Sequence, residues 1–248
     1  METPILDRAV PHQSVESIQP PVAHRHDIYQ AIHKTMRAFM FDVVKHVGCM
    51  DTNDPESVRA ALAEVRDLLA ACTLHLEMED RFIHPAMETR RPLSSAHTAT
   101  DHGHHEIAID EIEADVQAVE RASGAAQAAA AARLYHRLAL FTADNLAHMH
   151  VEETENNAAL WATHDDAEII AIEQSIHAAL PPAEALGILC RMVPALAPAE
   201  RAGLLTQLLM SAPADLSAAV LAGVKPRLAD HDWARLMSAI GPVSPAAR

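Results

Sequence analysis

The 248-residue sequence is poor in aromatic residues, glycine and cysteine, and each shortage excludes a class of protein. Phe, Trp and Tyr together make up 3% of the chain, and seven glycines serve all its turns, which argues against a β-sandwich or a β-barrel. The three cysteines, Cys49, Cys72 and Cys190, are odd in number and far apart. We expect them to be free thiols in a reducing, cytoplasmic compartment.

Basic residues and long apolar runs are also scarce. The chain contains 19 Lys and Arg residues and 34 Asp and Glu residues, which gives a net charge of −15 with histidine neutral. An acidic surface of this kind repels nucleic acid and anionic membranes, so neither is an expected partner. No window approaches the ~20 apolar residues that a membrane span needs. Residues 1–21 lack the basic start and apolar stretch of a signal peptide, and we expect a flexible leader there.

What the chain does contain is apolar and helix-forming. Half of the residues are apolar and about a fifth are alanine, which predicts an all-α fold. Apolar residues recur at spacings of three and four over residues 24–47, 54–83, 95–122 and 125–160. Four long helices with short connections predict an up-down-up-down four-helix bundle over residues 22–164. Residues 165–248 are predicted to be a C-terminal helical region, in which 181–248 form a small proline-punctuated appendage.

Histidine is the most unusual component, with 17 residues of which sixteen precede Pro181. Two of them begin a repeated motif, His75-Leu-Glu-Met-Glu79 and His148-Met-His-Val-Glu152. A His-x-x-x-Glu spacing places an imidazole and a carboxylate one turn apart, and both pairs are in phase with the apolar stripe of their helix. The surrounding HLEMEDRFIHPAM and HMHVEETENNAAL also match, so the first helix hairpin resembles a copy of the second. Two carboxylates buried in one bundle need a cation, which predicts a metal site.

The helical rise locates further ligands in the first hairpin. In an antiparallel pair, residues at one level are equidistant from the turn, since both helices rise ~1.5 Å per residue. The first turn centres near residue 51, so the mirror of His75 lies near residue 27. His26 fits this position, whereas His33 falls about two turns away.

The same counting in the second hairpin places the mirror of His148 near residue 99. His102 is the nearest histidine on the correct face, and His105, one turn further, is either a ligand or a neighbour of one. Four or five imidazoles and two carboxylates suffice for two metal ions bridged by the glutamates. The predicted ligands are therefore His26, His75, Glu79, His102, His105, His148 and Glu152.

Nitrogen and oxygen ligands suit iron, with manganese or zinc less favoured. Structural zinc normally binds cysteines or four compact ligands. The Glu-x-x-His pattern of ferritin-like di-iron proteins and the His-Glu-x-x-His pattern of zinc proteases are both absent from these helices. We therefore predict two iron ions.

The ordered set His26, His75-x-x-x-Glu79, His102/His105 and His148-x-x-x-Glu152 resembles the hemerythrin-like proteins, also called HHE cation-binding domains. The resemblance covers residues 22–164 and suggests a bacterial branch with a C-terminal helical extension. It implies a non-haem di-iron centre that meets O₂, and in some members nitric oxide or peroxide.

The chain departs from the oxygen carriers of that family on the third helix. Carriers have a His-x-x-x-His pair there, whereas here Asp101 stands four residues before His105. Tyr29 and His33 are also expected near the pocket. These differences argue against reversible O₂ carriage and for sensing or handling of O₂ or a related oxidant.

Two other functions stay open from the sequence. One is a di-iron oxidoreductase, either a peroxide-consuming enzyme or an oxygenase, and the other is an iron-handling or structural bundle. The C-terminal region is a candidate site for a protein partner or for self-association.

Overall fold

The computed structural model describes residues 25–241, and every regular element in that range is helical. The predicted leader, residues 1–21, lies outside the described residues. The helices are α1 (Gln30–Gly48), α2 (Pro55–Met78), α3 (His84–Arg90), α4 (Ala96–Arg121), α5 (Gly124–Val151), α6 (Asn157–Thr163), α7 (Asp166–Ala179), α8 (Pro182–Ala195), α9 (Pro198–Ser211), α10 (Ala214–Val224) and α11 (Asp230–Ile240).

Local chemistry sets where several of these helices begin. Asp54 caps α2 by accepting a hydrogen bond from the backbone N–H of Glu56, and Pro55 occupies the first helical position. Helix α7 starts with a reciprocal capping box between Asp165 and Glu168.

Two π-helical turns continue the long helices α2 and α5 into α3 and α6. The turns span Glu79–Ile83 and Glu152–Asn156. In each, a backbone N–H bonds to the carbonyl five residues earlier, from His84 to Glu79 and from Asn157 to Glu152. Such turns are rare and recur at functional sites, and here each begins at a glutamate of the repeated motif.

The four longest helices enclose the main core. Helix α1 packs against α2 and α5, and α4 packs against the same two helices. The apolar residues between them include Met40, Leu62, Leu68, Leu134 and Leu138, all nearly inaccessible to solvent. Because α1 and α4 each contact both α2 and α5, side chains from all four helices meet in one interior.

A second, smaller apolar cluster lies beyond the two π turns. It consists of Ile28, Tyr29, Ile83, Met87, Ala159, Leu160 and Ile169. Along α2 and its continuation, His75 and Glu79 fall between Cys72 of the main core and Ile83 of this cluster. The repeated motif therefore occupies a polar layer bounded by apolar side chains on both sides.

Helices α8 to α11 bury a third cluster around Val193, Leu205, Val220, Val224 and Leu236. This C-terminal region rests on α1 through helix α8. Within the described residues, no helix is long and apolar enough to cross a membrane.

Polar contacts hold the C-terminal region against α1 and α2. The guanidinium of Arg191 lies 3.8 Å over the ring of Phe39 and pairs with Asp67 at 3.0 Å. The ammonium of Lys34 reaches the carboxylate of Glu200 at 2.6 Å.

Candidate metal centre

Six side chains from the four long helices and their π turns converge in the polar layer. They form two groups of candidate ligands, each with two histidines: His33 and His75 with both glutamates, and His102 and His148 with the same glutamates. The candidate ligand atoms of each group lie within 4.8 Å of one another. Since Glu79 and Glu152 belong to both groups, the two sets are joined by shared carboxylates.

The glutamates contact histidines on both sides. One carboxylate oxygen of Glu79 is 3.4 Å from Nε2 of His75, and its other oxygen is 3.4 Å from Nε2 of His102. Oε2 of Glu152 lies 3.3 Å from Nε2 of both His33 and His148. Both glutamates and three of the four histidines are nearly inaccessible to solvent, and His75 is about a tenth exposed.

Eight of these converging atoms have no hydrogen-bond partner among residues 25–241. The set comprises Nε2 of His33, His75, His102 and His148 and both carboxylate oxygens of Glu79 and Glu152, all buried. Leaving a buried polar atom without a partner costs about 1–3 kcal/mol, and more for a charged group. Eight such atoms aimed at each other need a compensating group between them.

A pair of cations fits the donor set. Metal bonds to imidazole nitrogen and carboxylate oxygen are about 2.0–2.2 Å long, so two donors on one ion lie roughly 3.0–3.5 Å apart. The 3.3–3.4 Å nitrogen–oxygen separations match that spacing without hydrogen-bond geometry. Each group offers two imidazoles and two carboxylates, and no sulfur, which suits iron.

The outward nitrogens of two of these histidines are held by the acidic residues that follow the glutamates. Nδ1 of His33 lies 3.0 Å from the Glu153 carboxylate, and Nδ1 of His102 lies 2.8 Å from that of Asp80. An ionised carboxylate only accepts hydrogen bonds, so Nδ1 carries the proton and donates it. Nε2 is then left with its lone pair toward the centre, as in carboxylate–histidine–metal arrangements.

Without a cation, protons on His33 and His102 would balance the charge of the glutamates. Burial opposes the charged form of His102, yet the carboxylates of Glu152 and Glu79 raise its pKa to about 10. The pKa of His33 is also raised well above its usual value. The carboxylates of Glu152 and Glu153 favour the charged form of this histidine more than burial opposes it. A bound cation supplies the same compensation, so ion binding and proton release are linked.

A hydrogen-bond network of buried side chains lies beside the centre. The amide nitrogen of Asn156 lies 3.2 Å from the hydroxyl oxygen of Thr98 and 3.4 Å from that of Tyr29. The Thr98 hydroxyl is also 3.2 Å from Nε2 of His84. Burial and then the carboxylates of Glu152 and Glu79 raise the pKa of Tyr29, so this phenol stays protonated beside the glutamates.

Of the seven predicted ligands, the structure brings five together: His75, Glu79, His102, His148 and Glu152. His26 is not among them. It precedes α1, its Nε2 bonds to Glu173 of α7 at 3.0 Å, and its carbonyl accepts a bond from the Trp161 indole. His33, two turns further along α1, stands at the centre instead.

His105 lies beside the centre. Its ring is 4.8 Å from that of His148, but its Nε2 bonds to Asp144 at 2.9 Å. Its Nδ1 is buried, and no residue that the structure describes forms a hydrogen bond with it. Asp101, one helical turn earlier, is 3.6 Å from Nδ1 of His148. Neither residue belongs to the two ligand groups.

Two features explain why counting residues from the turn selects His26 rather than His33. Helix α1 begins at Gln30, so the rise of ~1.5 Å per residue used in the counting does not apply at His26. Cα–Cβ bonds tilt toward the start of each helix, so side chains on α1 lean away from the turn and those on α2 lean toward it. The two histidines therefore meet only when the residue on α1 lies closer to the turn than a simple mirror predicts. His102 is displaced from residue 99 in the same sense.

The supporting acids were also not identified from the sequence, although a signal exists. Asp80 follows Glu79 and Glu153 follows Glu152, so an acidic neighbour is part of the repeat. Comparison of the chain with models of protein families, with curated proteins and with solved structures gives no match. The site is therefore interpreted from its own chemistry.

Proposed function

We propose that this chain is a hemerythrin-like di-iron protein that binds or reacts with O₂ or a related small oxidant such as nitric oxide or peroxide. The observation that carries the proposal is the set of eight buried, unpartnered donor atoms, divided into two groups that share both Glu79 and Glu152. A single ion would leave half of the imidazoles uncompensated.

The proposal includes the finer architecture. Helices α1, α2, α4 and α5 would form an up-down-up-down bundle within residues 22–164, followed by a C-terminal helical region over 165–248. The short connections and the packing of α1 and α4 against both α2 and α5 support this arrangement. A reducing, cytoplasmic location is part of the proposal, because Cys49, Cys72 and Cys190 are all free thiols.

The residues of the centre have distinct tasks. Four imidazoles would donate neutral nitrogen, and two glutamates would bridge the ions while offsetting part of their positive charge. Two ferrous ions held here would supply two electrons for the reduction of a small oxidant. The apolar clusters on both sides of the polar layer limit the entry of water.

Sensing is favoured over carriage by the position of α1. This helix presents His33 to the centre, while its neighbouring residue Lys34 binds Glu200 of the C-terminal region. A change at the ions that moves α1 would therefore reach α8 and α9, where we place a protein partner or a second copy of the chain.

Iron analysis combined with optical spectroscopy tests the proposal. The protein is purified without oxygen from iron-supplied cells, and its spectrum is recorded under nitrogen, under air and under nitrogen again. We expect about two irons per chain and a new near-ultraviolet and visible band in air. A band that persists after nitrogen returns favours sensing or catalysis, and one that disappears favours carriage.

Matched variants make this test specific to the site. His75→Ala should lose iron and the air-induced band, whereas His136→Ala, which removes an exposed histidine of α5, should retain both. Equal iron content in the two variants, or a colourless zinc-loaded protein, would contradict the proposed function.

A further inference from the structure

The two halves of the centre differ in the groups that support their outward-facing histidine nitrogens. In the first half, the carboxylate of Glu153 that accepts from His33 is also bound by Arg37. Two guanidinium nitrogens of Arg37 reach the two oxygens of Glu153 at 2.6 and 2.9 Å. This bidentate pair neutralises the carboxylate, and with burial opposing, His33 and Arg37 lower the pKa of Glu153 to about 2.

In the second half, a histidine takes the place of the arginine. Asp80 accepts from Nδ1 of His102 at 2.8 Å and also lies 2.8 Å from Nδ1 of His84. The His84 ring is buried and stacks on that of His102 with ring centres 4.8 Å apart. A guanidinium always brings a positive charge to the carboxylate it binds, whereas an imidazole can donate a hydrogen bond as a neutral group.

This difference changes how strongly each half attracts a cation. A carboxylate bonded to the far nitrogen of a ligand histidine makes that histidine a better donor and adds negative charge near the ion. A guanidinium on the same carboxylate cancels much of that charge and adds its own repulsion. Asp80 is about half exposed, so water screens part of its charge.

We propose that Arg37 makes the two metal positions unequal, so that a divalent cation fills the position of His102 and His148 before that of His33 and His75. This inference rests on the proposed two-ion centre and assigns Arg37 and His84 as positioning residues of opposite effect. In the proposed centre each acts through the carboxylate that it binds and is not itself a ligand.

Titration of the metal-free protein with Co²⁺ tests the order of filling, with calorimetry and visible absorption as readouts. The wild type should bind two ions in separate steps. Arg37→Gln should tighten the second step by about tenfold and leave the first nearly unchanged. Lys45→Gln is the matched control, because it removes one positive charge from an exposed position of the same helix, about three turns from His33. It should change neither step.

Variants of the proposed ligands show which metal position corresponds to which binding step of the titration. His33→Ala should retain one tightly bound ion, and His102→Ala should retain one weakly bound ion, with circular dichroism confirming that both variants fold. Should His102→Ala not fold, His33→Ala and Arg37→Gln still decide the order, because the ion that remains in His33→Ala must be the tight one.

The possible failures are distinguishable. Binding of fewer than two Co²⁺ ions by the wild type would reject the two-ion centre itself. Two ions with equal affinities, an unchanged second step in Arg37→Gln, or a weaker second step in that variant would reject only the inference. The last result would mean that Arg37 acts by holding Glu153 in place.

Discussion

Glu79 and Glu152 each reach across to a histidine of the opposite half. The carboxylate of Glu79 lies 3.4 Å from Nε2 of His102, and that of Glu152 lies 3.3 Å from Nε2 of His33. The two glutamates also begin the two π turns, which aim them into the interior. These two contacts between the halves connect the two His-x-x-x-Glu pairs into one centre.

Removing one bridging carboxylate should disrupt both metal positions. We expect Glu152→Gln to lower metal affinity at least tenfold, because it deletes a charge shared by both ions while preserving side-chain volume. Metal content after dialysis against a weak chelator measures the loss. Glu155→Gln is the control, since this exposed glutamate lies in the same π turn. A Glu152→Gln protein that retains two ions would show that Glu152 is not a bridge.

Stability should depend on pH differently with and without metal. The pKa of His102 is raised to about 10, whereas an unfolded histidine titrates near 6.5. The folded metal-free protein therefore binds this proton more tightly, and the resulting stabilisation is complete below about pH 6.5 and is lost as pH rises through 10. We expect the urea-derived free energy of unfolding of metal-free protein to fall between pH 7 and 10.

Metal-loaded protein provides the comparison, because a cation takes the place of the proton on His102. Its stability should lack this decrease, and the difference between the two forms should widen with pH. Parallel pH profiles for the two forms would contradict the linkage.

Asn156 should be important for stability although it is outside the ligand groups. Its side chain is buried and reaches the hydroxyls of Tyr29 and Thr98. Asn156→Ala leaves both hydroxyls without that donor and should cost about 1–3 kcal/mol in unfolding free energy, measured in urea. Asn53→Ala, in an exposed turn, should change it by less than about 0.5 kcal/mol. Equal effects would show that the network adds no stability.

Two helical glycines should respond oppositely to alanine. A Cβ at Gly103 of α4 would have no atom of the described part of the chain within 4 Å, so Gly103→Ala should stabilise the protein by about 0.5–1 kcal/mol through helix propensity. A Cβ at Gly223 of α10 would overlap with Sγ of Cys190, so Gly223→Ala should destabilise the C-terminal region. Thermal unfolding of the two variants compares them, and a stabilised Gly223→Ala protein would refute this account of the packing of α8 and α10.

The sequence predicts the parts of this molecule that depend on local periodicity. The all-helical class follows from the spacing of apolar residues, and Asp54-Pro55 marks the start of α2 as expected. The repeat around His75 and His148 singles out residues that the structure brings together.

Features that depend on the direction of side chains in space, or on contacts between distant residues, could not be predicted from local spacing. The choice of His33 over His26 depends on where α1 begins and on the opposite tilt of side chains in antiparallel helices, both of which residue counting omits. The π turns add one residue per turn at the glutamates without any distinctive composition. The contact of Arg37 with Glu153 joins residues 116 positions apart, which no local pattern specifies.

X-ray absorption spectroscopy of the iron-loaded protein tests the central claim, that two ions share Glu79 and Glu152, most directly. The account predicts nitrogen and oxygen neighbours, no sulfur, and a metal–metal vector of about 3–4 Å that is lost in Glu152→Gln but kept in Glu155→Gln. Two bound irons without a metal–metal vector, or sulfur in the coordination sphere, would contradict it.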